Sequence, residues 1–257
     1  MGAGAAQTRQ IAQPDARDRG INHLVEALIL AGGKAERLGA AAQGNPKPLV
    51  RVGGRPLAGY TVRRLAGAGV TRAILACAHG QQERFVGDLS GLGVEIVAVG
   101  EPEPRGRGGG LRFAAAERRE MGPVLAMNGD ELLDLDYEAL LGAHRAGGAA
   151  ATVVVAQVNS PFGVVDLDED DTIRGFREAP KLEHWVNAGV YVLDEEALAR
   201  LPERGDHEQS TFPELAREGR LRAFRHTGAW LTVNTPKDLR RAEEYLVAHP
   251  AFQPTDA

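Results

Sequence analysis

The chain reads Ala-Leu-Ile-Leu-Ala-Gly-Gly-Lys-Ala-Glu-Arg-Leu-Gly over residues 27–39 and Asn-Pro-Lys-Pro-Leu-Val over residues 45–50. Its short apolar run stops at a glycine pair, which is how a buried parallel strand ends in a loop. Gly32 and Gly33 permit backbone conformations that other residues avoid, so consecutive N–H groups can point at one anion. The stretch therefore predicts a strand followed by an anion-binding loop.

Three cations lie in or just after this loop, at Lys34, Arg37 and Lys47. Arginine can grip a phosphate with two N–H groups, and lysine supplies a point charge. A glycine pair alone is just as typical of a simple turn, but cations beside bare backbone favour a polyphosphate ligand. The chain contains neither the Gly-Lys-Ser/Thr of a Walker loop nor the Gly-x-Gly-x-x-Gly of a Rossmann fingerprint.

Composition limits the class of protein. The 257 residues, 43% of them hydrophobic, suffice for one large α/β domain or two small ones. A formal net charge of −5 argues against nucleic acid or an anionic membrane as a partner. Cys77 is the chain's one cysteine and lies in an apolar run, so we interpret it as a core residue in a reducing, cytoplasmic location.

The first residues are small, polar and charged, without the apolar centre of a signal peptide. We expect residues 1–23 to form a flexible N-terminal extension. No apolar run approaches the roughly 18 residues that a membrane-crossing helix needs.

Strand and helix patterns alternate through the first half of the chain. Strands are predicted over 24–30, 72–78, 94–99 and 124–127, and helices over 57–68, 81–89, 111–119 and 137–145. This alternation is typical of a parallel sheet, whose ligands bind beyond the carboxyl ends of the strands. The loops over 31–37, 101–110 and 128–130 all fall at that edge, which predicts a single site there.

The second half has closely spaced, β-branched strands, predicted over 150–158, 163–167, 172–177 and 185–193. They indicate a mixed or antiparallel extension of the sheet. Helices are expected over 195–200 and 213–218, and a last helix begins at Thr235 with Asp238 completing a capping box. No repeat or linker divides residues 24–257, which predicts one domain.

Asp130 ends the fourth predicted strand, in Asn-Gly-Asp, at the edge that carries the cationic loop. A carboxylate there repels a triphosphate unless a cation lies between them. Mg²⁺ prefers oxygen ligands and bridges carboxylates to phosphates, so it is the predicted cofactor. The alternative is that Asn-Gly-Asp only forms a capped turn into the next helix.

Six phrases within residues 24–246 resemble the sugar-1-phosphate nucleotidylyltransferases, or NDP-sugar pyrophosphorylases. They are Leu-Ala-Gly-Gly-Lys-Ala-Glu-Arg-Leu at 30–38, Pro-Lys-Pro-Leu at 46–49, Gly-Arg-Gly-Gly-Gly-Leu at 106–111, Asn-Gly-Asp at 128–130, Phe-Arg-Glu-Ala-Pro at 176–180 and Trp-Val-Asn-Ala-Gly at 185–189. The resemblance implies a Rossmann-like α/β fold of the GT-A type: a mixed, mainly parallel sheet with helices on both faces and a small antiparallel sugar-binding extension. Residues 24–149 would be the nucleotide-binding half and residues 150–248 the sugar-binding half.

The resemblance also implies roles for individual residues. Nucleotide binding would fall to Leu30, Ala31, Gly32, Gly33, Lys34, Glu101, Gly106, Gly108 and Gly109, with room for a flat base at the glycines. Arg37, Lys47 and Asp130 would be catalytic. Asn128, Gly163, Glu178 and Asn187 would bind the sugar phosphate, and Asp130 would hold Mg²⁺.

The implied reaction joins a nucleoside triphosphate to a sugar 1-phosphate and releases pyrophosphate. The attacking oxygen is already anionic, so alignment and charge stabilisation suffice without a general base. The phrases Pro-Phe-Gly-Val-Val and Thr-Pro-Lys-Asp look most like mannose- or heptose-1-phosphate guanylyltransferases. Alternatives are a uridylyl- or thymidylyltransferase for glucose or amino-sugar phosphates, an enzyme for a non-sugar phosphate or phosphonate, and a regulatory homologue that binds nucleotide sugar. A homo-oligomer is compatible with all of them.

Three positions depart from the family pattern. Ala35 replaces a third glycine, Ala179 replaces the lysine that holds the sugar phosphate, and Thr232 replaces an aspartate that many members use as a second metal ligand. Lys181 lies two residues after Ala179, and an extended strand would point it to the same side. Asn234 offers a weaker amide ligand for the metal, unless it is only a turn residue before the last helix.

If Lys181 replaces the missing lysine, Lys181→Ala should sharply raise the KM for the sugar phosphate, because one cation that faces its phosphate is removed. Steady-state kinetics with the sugar phosphate varied would measure this, and an unchanged KM would contradict the hypothesis.

Overall fold

The computed structural model describes residues 25–252, so the expected extension over 1–23 and the predicted strand start at residue 24 lie outside the described residues. The strands are β1 (Val25–Leu30), β2 (Arg51–Val52), β3 (Arg55–Pro56), β4 (Val70–Ala78), β5 (Glu95–Glu101), β6 (Val124–Asn128), β7 (Glu131–Leu133), β8 (Ala151–Asn159), β9 (Val164–Leu167), β10 (Ile173–Arg177), β11 (Lys181–Leu193), β12 (Leu221–Arg225) and β13 (Trp230–Thr232). The helices are α1 (Leu57–Gly67), α2 (Gln82–Leu89), α3 (Gly106–Ala115), α4 (Tyr137–Gly147), α5 (Glu195–Ala199), α6 (Thr211–Arg217) and α7 (Pro236–Ala248).

A seven-stranded sheet in the order β12-β8-β11-β6-β1-β4-β5 forms the centre of the fold. β1 pairs in parallel with β4 and β6, and β4 pairs in parallel with β5. β11 runs antiparallel between β6 and β8, and so joins the second half of the chain to the first. The prediction of a mixed, mainly parallel sheet is confirmed.

Helices cover both faces of the sheet, because neighbouring residues of a strand point to opposite sides. Ala27 and Ile29 of β1 pack in one core with α1, α2 and α4, whereas Leu28 packs in the other with α3, α5 and α6. Cys77 lies fully buried in the first core, and burial, followed by the charge of Glu101, raises the pKa of its thiol to about 11. Its interpretation as a core residue is confirmed.

The extension differs in detail from the prediction. β9 and β10 form a separate antiparallel hairpin, while β8, β11 and β12 belong to the main sheet. β2, β3, β7, β12 and β13 were not predicted, and each spans only two to five residues. The capping box of α7 is confirmed: Thr235 Oγ1 accepts from Asp238 N, and Asp238 Oδ2 accepts from Thr235 N.

The glycines predicted as a loop are instead the first turn of α3, so the predicted helix over 111–119 begins too late. The segment 202–208, here called the strap, crosses this helix start. The Gly205 carbonyl accepts from the N–H groups of Gly108 (2.9 Å) and Gly109 (3.2 Å), and Asp206 Oδ1 accepts from Arg107 N (2.9 Å). These N–H groups have no partner within the helix, so the strap satisfies them from outside.

The strap also fills the space at these glycines. A Cβ on Gly106 would lie 2.7 Å from the Gly205 carbonyl oxygen, one on Gly108 2.8 Å from His207 N, and one on Gly109 2.6 Å from the Glu203 carbonyl oxygen. The expectation of open room for a flat base is therefore wrong on this side of the helix, because protein backbone occupies it.

Gly109→Ala should destabilise the fold by about 1–3 kcal/mol, since the new methyl group has to displace the strap backbone. Gly142→Ala, in the middle of α4 with nothing within 4 Å of its Cβ position, is the matched control. It should stabilise by about 0.5–1 kcal/mol through helix propensity. Denaturant unfolding measures both variants, and equal effects would contradict the packing account.

Candidate active site

The ammonium group of Lys47 lies at the centre of the cleft at the carboxyl edge of the sheet. Its Nζ donates to Asp130 Oδ2 at 2.5 Å and to Asn234 Oδ1 at 2.6 Å. Only 12% of the Lys47 side chain and 27% of the Asp130 side chain are exposed. Three distant segments, after β1, after β6 and before α7, thus meet at one cation, and Asn234 takes part as more than a turn residue.

The glycine loop after β1 forms the floor of the cleft. The Gly33 carbonyl accepts from Lys47 N at 3.2 Å, which ties the loop to the segment that carries the lysine. Arg37 Nη2 donates to Asn234 Oδ1 at 3.2 Å, so its guanidinium lies beside the Lys47 ammonium. Lys34 is largely exposed, with Glu36 at 3.8 Å, and remains available to a ligand.

Glu101 stands at the end of β5, against the start of α3. A Cβ on Gly110 would lie 2.7 Å from its Oε1, so only a glycine admits the carboxyl at this place. Burial raises the pKa of Glu101, and the backbone N–H of Arg105 counteracts that rise. A partly buried carboxylate at this wall can accept N–H groups from a base.

Glu131 is a residue of the cleft that the sequence reasoning missed. Its Oε2 accepts from Trp230 Nε1 at 3.0 Å and its Oε1 from Asn128 Nδ2 at 3.3 Å. Burial, followed by the charge of Asp130, raises its pKa to about 7. The sequence feature that could have pointed to Glu131 is its position directly after Asp130. It lies, however, in a strand that is too short to recognise from the sequence.

Arg107 and the strap residue Asp206 were also missed, although both line the cleft. Arg107 Nη2 lies 3.4 Å from Asp206 Oδ2, and Arg107 Nη1 lies 3.2 Å from Glu208 Oε1. These partners are about a hundred residues apart in the chain, so no local pattern connects them.

One cavity of about 490 Å³ gathers most of the predicted site. Its lining includes Leu30, Gly32, Gly33, Arg37, Lys47, Glu101, Gly106, Asn128, Asp130 and Asn234. Lys34 lines an adjoining cavity of about 530 Å³ that shares the glycine pair and Glu101. Outside both linings are Ala31, Gly108, Gly109, Gly163, Glu178, Lys181 and Asn187.

The predicted sugar residues form a looser group. A Cβ on Gly163 would lie 3.1 Å from Glu178 Oε2, so these two residues are neighbours. Asn187 Nδ2 donates to Tyr191 Oη, and its Oδ1 accepts from Gly189 N, both at 2.9 Å. Their sugar-binding roles stay predictions.

The geometric reason given for Lys181 is wrong. Ala179 has φ +44°, so the chain turns there instead of running extended. Lys181 pairs with Asn159 at the start of β11 and lines a different cavity.

The donor set around Lys47 suits a divalent cation. A carboxylate oxygen and an amide oxygen already converge on one positive charge, and Mg²⁺ prefers such oxygen ligands. Within residues 25–252 no group of three or more His, Cys, Asp or Glu side chains could hold a metal. Two protein oxygens leave further positions to water and phosphate, as is usual for Mg²⁺.

Fold and site together define a nucleotide-dependent transferase. A family model described as nucleotidyl transferase matches residues 26–248, and the chain belongs to this family. The chain is 33% identical over 243 residues to the mannose-1-phosphate guanylyltransferase of Mycobacterium tuberculosis, covering 90% of this chain and 67% of the relative. It is 34% identical over 226 residues to the mannose-1-phosphate guanyltransferase of Candida albicans, covering 83% and 62%. The chain thus spans about three-fifths to two-thirds of the length of these relatives.

Solved structures share the fold. A glucose-1-phosphate thymidylyltransferase structure from Bacillus anthracis superposes with a TM-score of 0.69 at 20% identity, covering 86% of this chain and 94% of that one. HddC from Yersinia pseudotuberculosis, complexed with GMP-PN, gives 0.67 at 22% identity, covering 86% and 99%. No helix in the described part of the chain is long and apolar enough to cross a membrane.

Lys47→Met should bind Mn²⁺, a spectroscopic substitute for Mg²⁺, about five- to tenfold more tightly without nucleotide, a gain of about 1–1.4 kcal/mol. The reason is that the ammonium group no longer occupies the oxygens of Asp130 and Asn234. The Mn²⁺ affinity is measured by titration, with free Mn²⁺ followed by electron paramagnetic resonance. Lys34→Met, at an exposed position, is the matched control. Equal affinity in both variants would show that Lys47 does not compete with the metal.

Proposed function

We propose that this chain transfers the GMP group of GTP to the phosphate of mannose 1-phosphate, giving GDP-mannose and pyrophosphate. The observation that carries the proposal is the Lys47 ammonium between Asp130 and Asn234, in a cleft that Gly32, Gly33 and Arg37 also line. The choice of GTP and mannose 1-phosphate is supported by the names of the relatives about one-third identical to this chain.

The proposed role of each residue in the cleft follows from its charge and its hydrogen-bonding groups. The glycine pair takes the triphosphate with backbone N–H groups, and Arg37 pairs with its outer phosphates. Lys47 leaves Asp130 for the α-phosphate, where it stabilises the charge that develops as pyrophosphate departs. An oxygen of the sugar phosphate attacks in line and needs no proton removed. Glu101 accepts N–H groups of the base.

Mg²⁺ is the cofactor that we propose, held by Asp130 and Asn234. It supplies charge neutralisation between carboxylate and phosphate oxygens. A cytoplasmic location accompanies the proposal, because the substrates are nucleotides and the one cysteine is a buried thiol.

The test is pyrophosphate release with Mg²⁺, crossing four nucleoside triphosphates with mannose, glucose, N-acetylglucosamine and heptose 1-phosphates. We expect release chiefly with GTP and mannose 1-phosphate. Asp130→Ala should lower kcat by about 10²–10³, the cost of losing a charged group that acts in the transition state. Exposed Asp170→Ala, in the β9–β10 turn, is the control and should match the wild type.

Pyrophosphate release with a different pair would identify that nucleoside triphosphate and that sugar phosphate as the substrates instead. No release with any pair, while GTP still binds by calorimetry, would favour the regulatory homologue or a non-sugar acceptor.

A further inference from the structure

Three side chains at the β6 side of the cleft form a hydrogen-bonded row, here called the carboxylate bridge. Trp230 Nε1 donates to Glu131 Oε2 at 3.0 Å, and Asn128 Nδ2 donates to Glu131 Oε1 at 3.3 Å. Asn128 and Glu131 both line the cleft. The antiparallel pairing of β7 with β13 brings the indole of Trp230 to the carboxylate. The proposed roles of the cleft residues give Glu131 no function.

Gly189 of β11 leaves room for the bridge. Its φ of +70° favours glycine, and a Cβ there would lie 2.9 Å from Glu131 Oε2 and would also collide with Asn128 Nδ2. The backbone of β11 therefore packs directly against both side chains. In this space the Asn128 amide can change chiefly by exchanging the places of its nitrogen and its oxygen.

The chemistry of the bridge determines which end of the Asn128 amide faces Glu131. An ionised carboxylate only accepts hydrogen bonds, so the amide has to present its nitrogen, which only donates. Within residues 25–252, no N–H or O–H group donates to Asn128 Oδ1. The free group that Asn128 offers to a ligand in the cleft is therefore a hydrogen-bond acceptor.

The order of the strands indicates which ligand meets Asn128. In the sheet, β6 lies on one side of β1, whereas β4 and β5 lie on the other. The glycine pair follows β1, and Glu101, at the end of β5, is the residue proposed for the base. A nucleotide that extends from the glycine pair towards Glu101 leaves the β6 side to the molecule that attacks it.

We propose that Glu131 is a positioning residue that holds the Asn128 amide oxygen towards the acceptor substrate, where it selects a hydroxyl group able to donate to it. This role rests on the proposed transfer reaction. A substituent that only accepts hydrogen bonds would meet the amide oxygen with no proton between them, and this mismatch weakens binding. Asn128 is then a specificity-determining contact, and Glu131 acts through it.

The bridge predicts that the isosteric substitution Glu131→Gln reverses the Asn128 amide. The indole of Trp230 only donates, so the new carboxamide has to turn its oxygen to Trp230 and its NH₂ group to Asn128. Asn128 then presents its oxygen to position 131 and its own NH₂ group to the substrate. Adding Trp230→Phe removes the indole donor, which frees the carboxamide to turn its oxygen to Asn128 and restores the original orientation.

The experiment compares the wild type with Glu131→Gln, Trp230→Phe and the double variant at pH 8.5, where Glu131, with a pKa of about 7, is ionised. Pyrophosphate release is measured with GTP and either mannose 1-phosphate or one of its analogues in which fluorine replaces a single hydroxyl group. Fluorine cannot donate a hydrogen bond. For one analogue, we expect the wild-type KM to exceed that for mannose 1-phosphate about tenfold or more, as for one lost hydrogen bond.

The variants should change this KM ratio in a pattern that a merely structural role would not produce. Glu131→Gln should lower the ratio to about twofold or less, since an NH₂ group tolerates fluorine better than an amide oxygen does. Trp230→Phe should keep the wild-type ratio, and the double variant should recover it. The same ratio in Glu131→Gln as in the wild type would overturn the positioning role, and so would an equal loss of discrimination in all three variants.

The orientation of Asn128 is also measured without turnover, by nitrogen-15 nuclear magnetic resonance of its side-chain amide, assigned by its absence in Asn128→Asp. We expect its NH₂ protons to exchange with water about tenfold faster in Glu131→Gln, as for the loss of one hydrogen bond, and at the wild-type rate in the double variant. A wild type without transferase activity that shows these rates would contradict the proposed function and the acceptor assignment, but would support the orientation. Equal rates in an active enzyme would overturn the orientation alone.

Discussion

The hydrogen-bonded cation at Lys47 is the constraint on which the site depends. A mostly buried ammonium group needs compensating oxygens, and Asp130 and Asn234 supply them at 2.5 and 2.6 Å. The contact fixes the end of β6 against the start of α7 and draws in the glycine loop. In the proposed reaction, a triphosphate would compete for Lys47 and a divalent cation would compete for the two oxygens.

The glycines of this chain serve two physical purposes that the sequence alone does not separate. Gly32 and Gly33 line the floor of the cleft, whereas Gly108 and Gly109 admit the strap against α3. Gly110 admits the Glu101 carboxyl itself. The strap thereby seals the N-terminus of α3, which otherwise attracts anions.

The features of the fold that depend on local sequence pattern were predicted correctly. The buried strands β1, β4 and β6 and the edge where their loops converge follow from apolar runs, and most of the predicted nucleotide residues line one cleft. Contacts between distant segments were not predictable: Arg107 meets Asp206 across ninety-nine residues, and Glu131 meets Trp230 across the same separation. Lys181 was misplaced because a positive φ at Ala179, which a residue with a side chain rarely adopts, breaks the assumed strand.

The Lys47 contact is tested most directly by nitrogen-15 nuclear magnetic resonance of its ammonium group, which is practical because the chain has four lysines. Without ligand, we predict a slowly exchanging signal that Asp130→Asn shifts, since Asp130 is its charged partner. A non-hydrolysable GTP analogue with Mg²⁺ should move the same signal as phosphate replaces the carboxylate. A signal that responds to neither change would contradict the proposed transfer of Lys47 from Asp130 to the nucleotide.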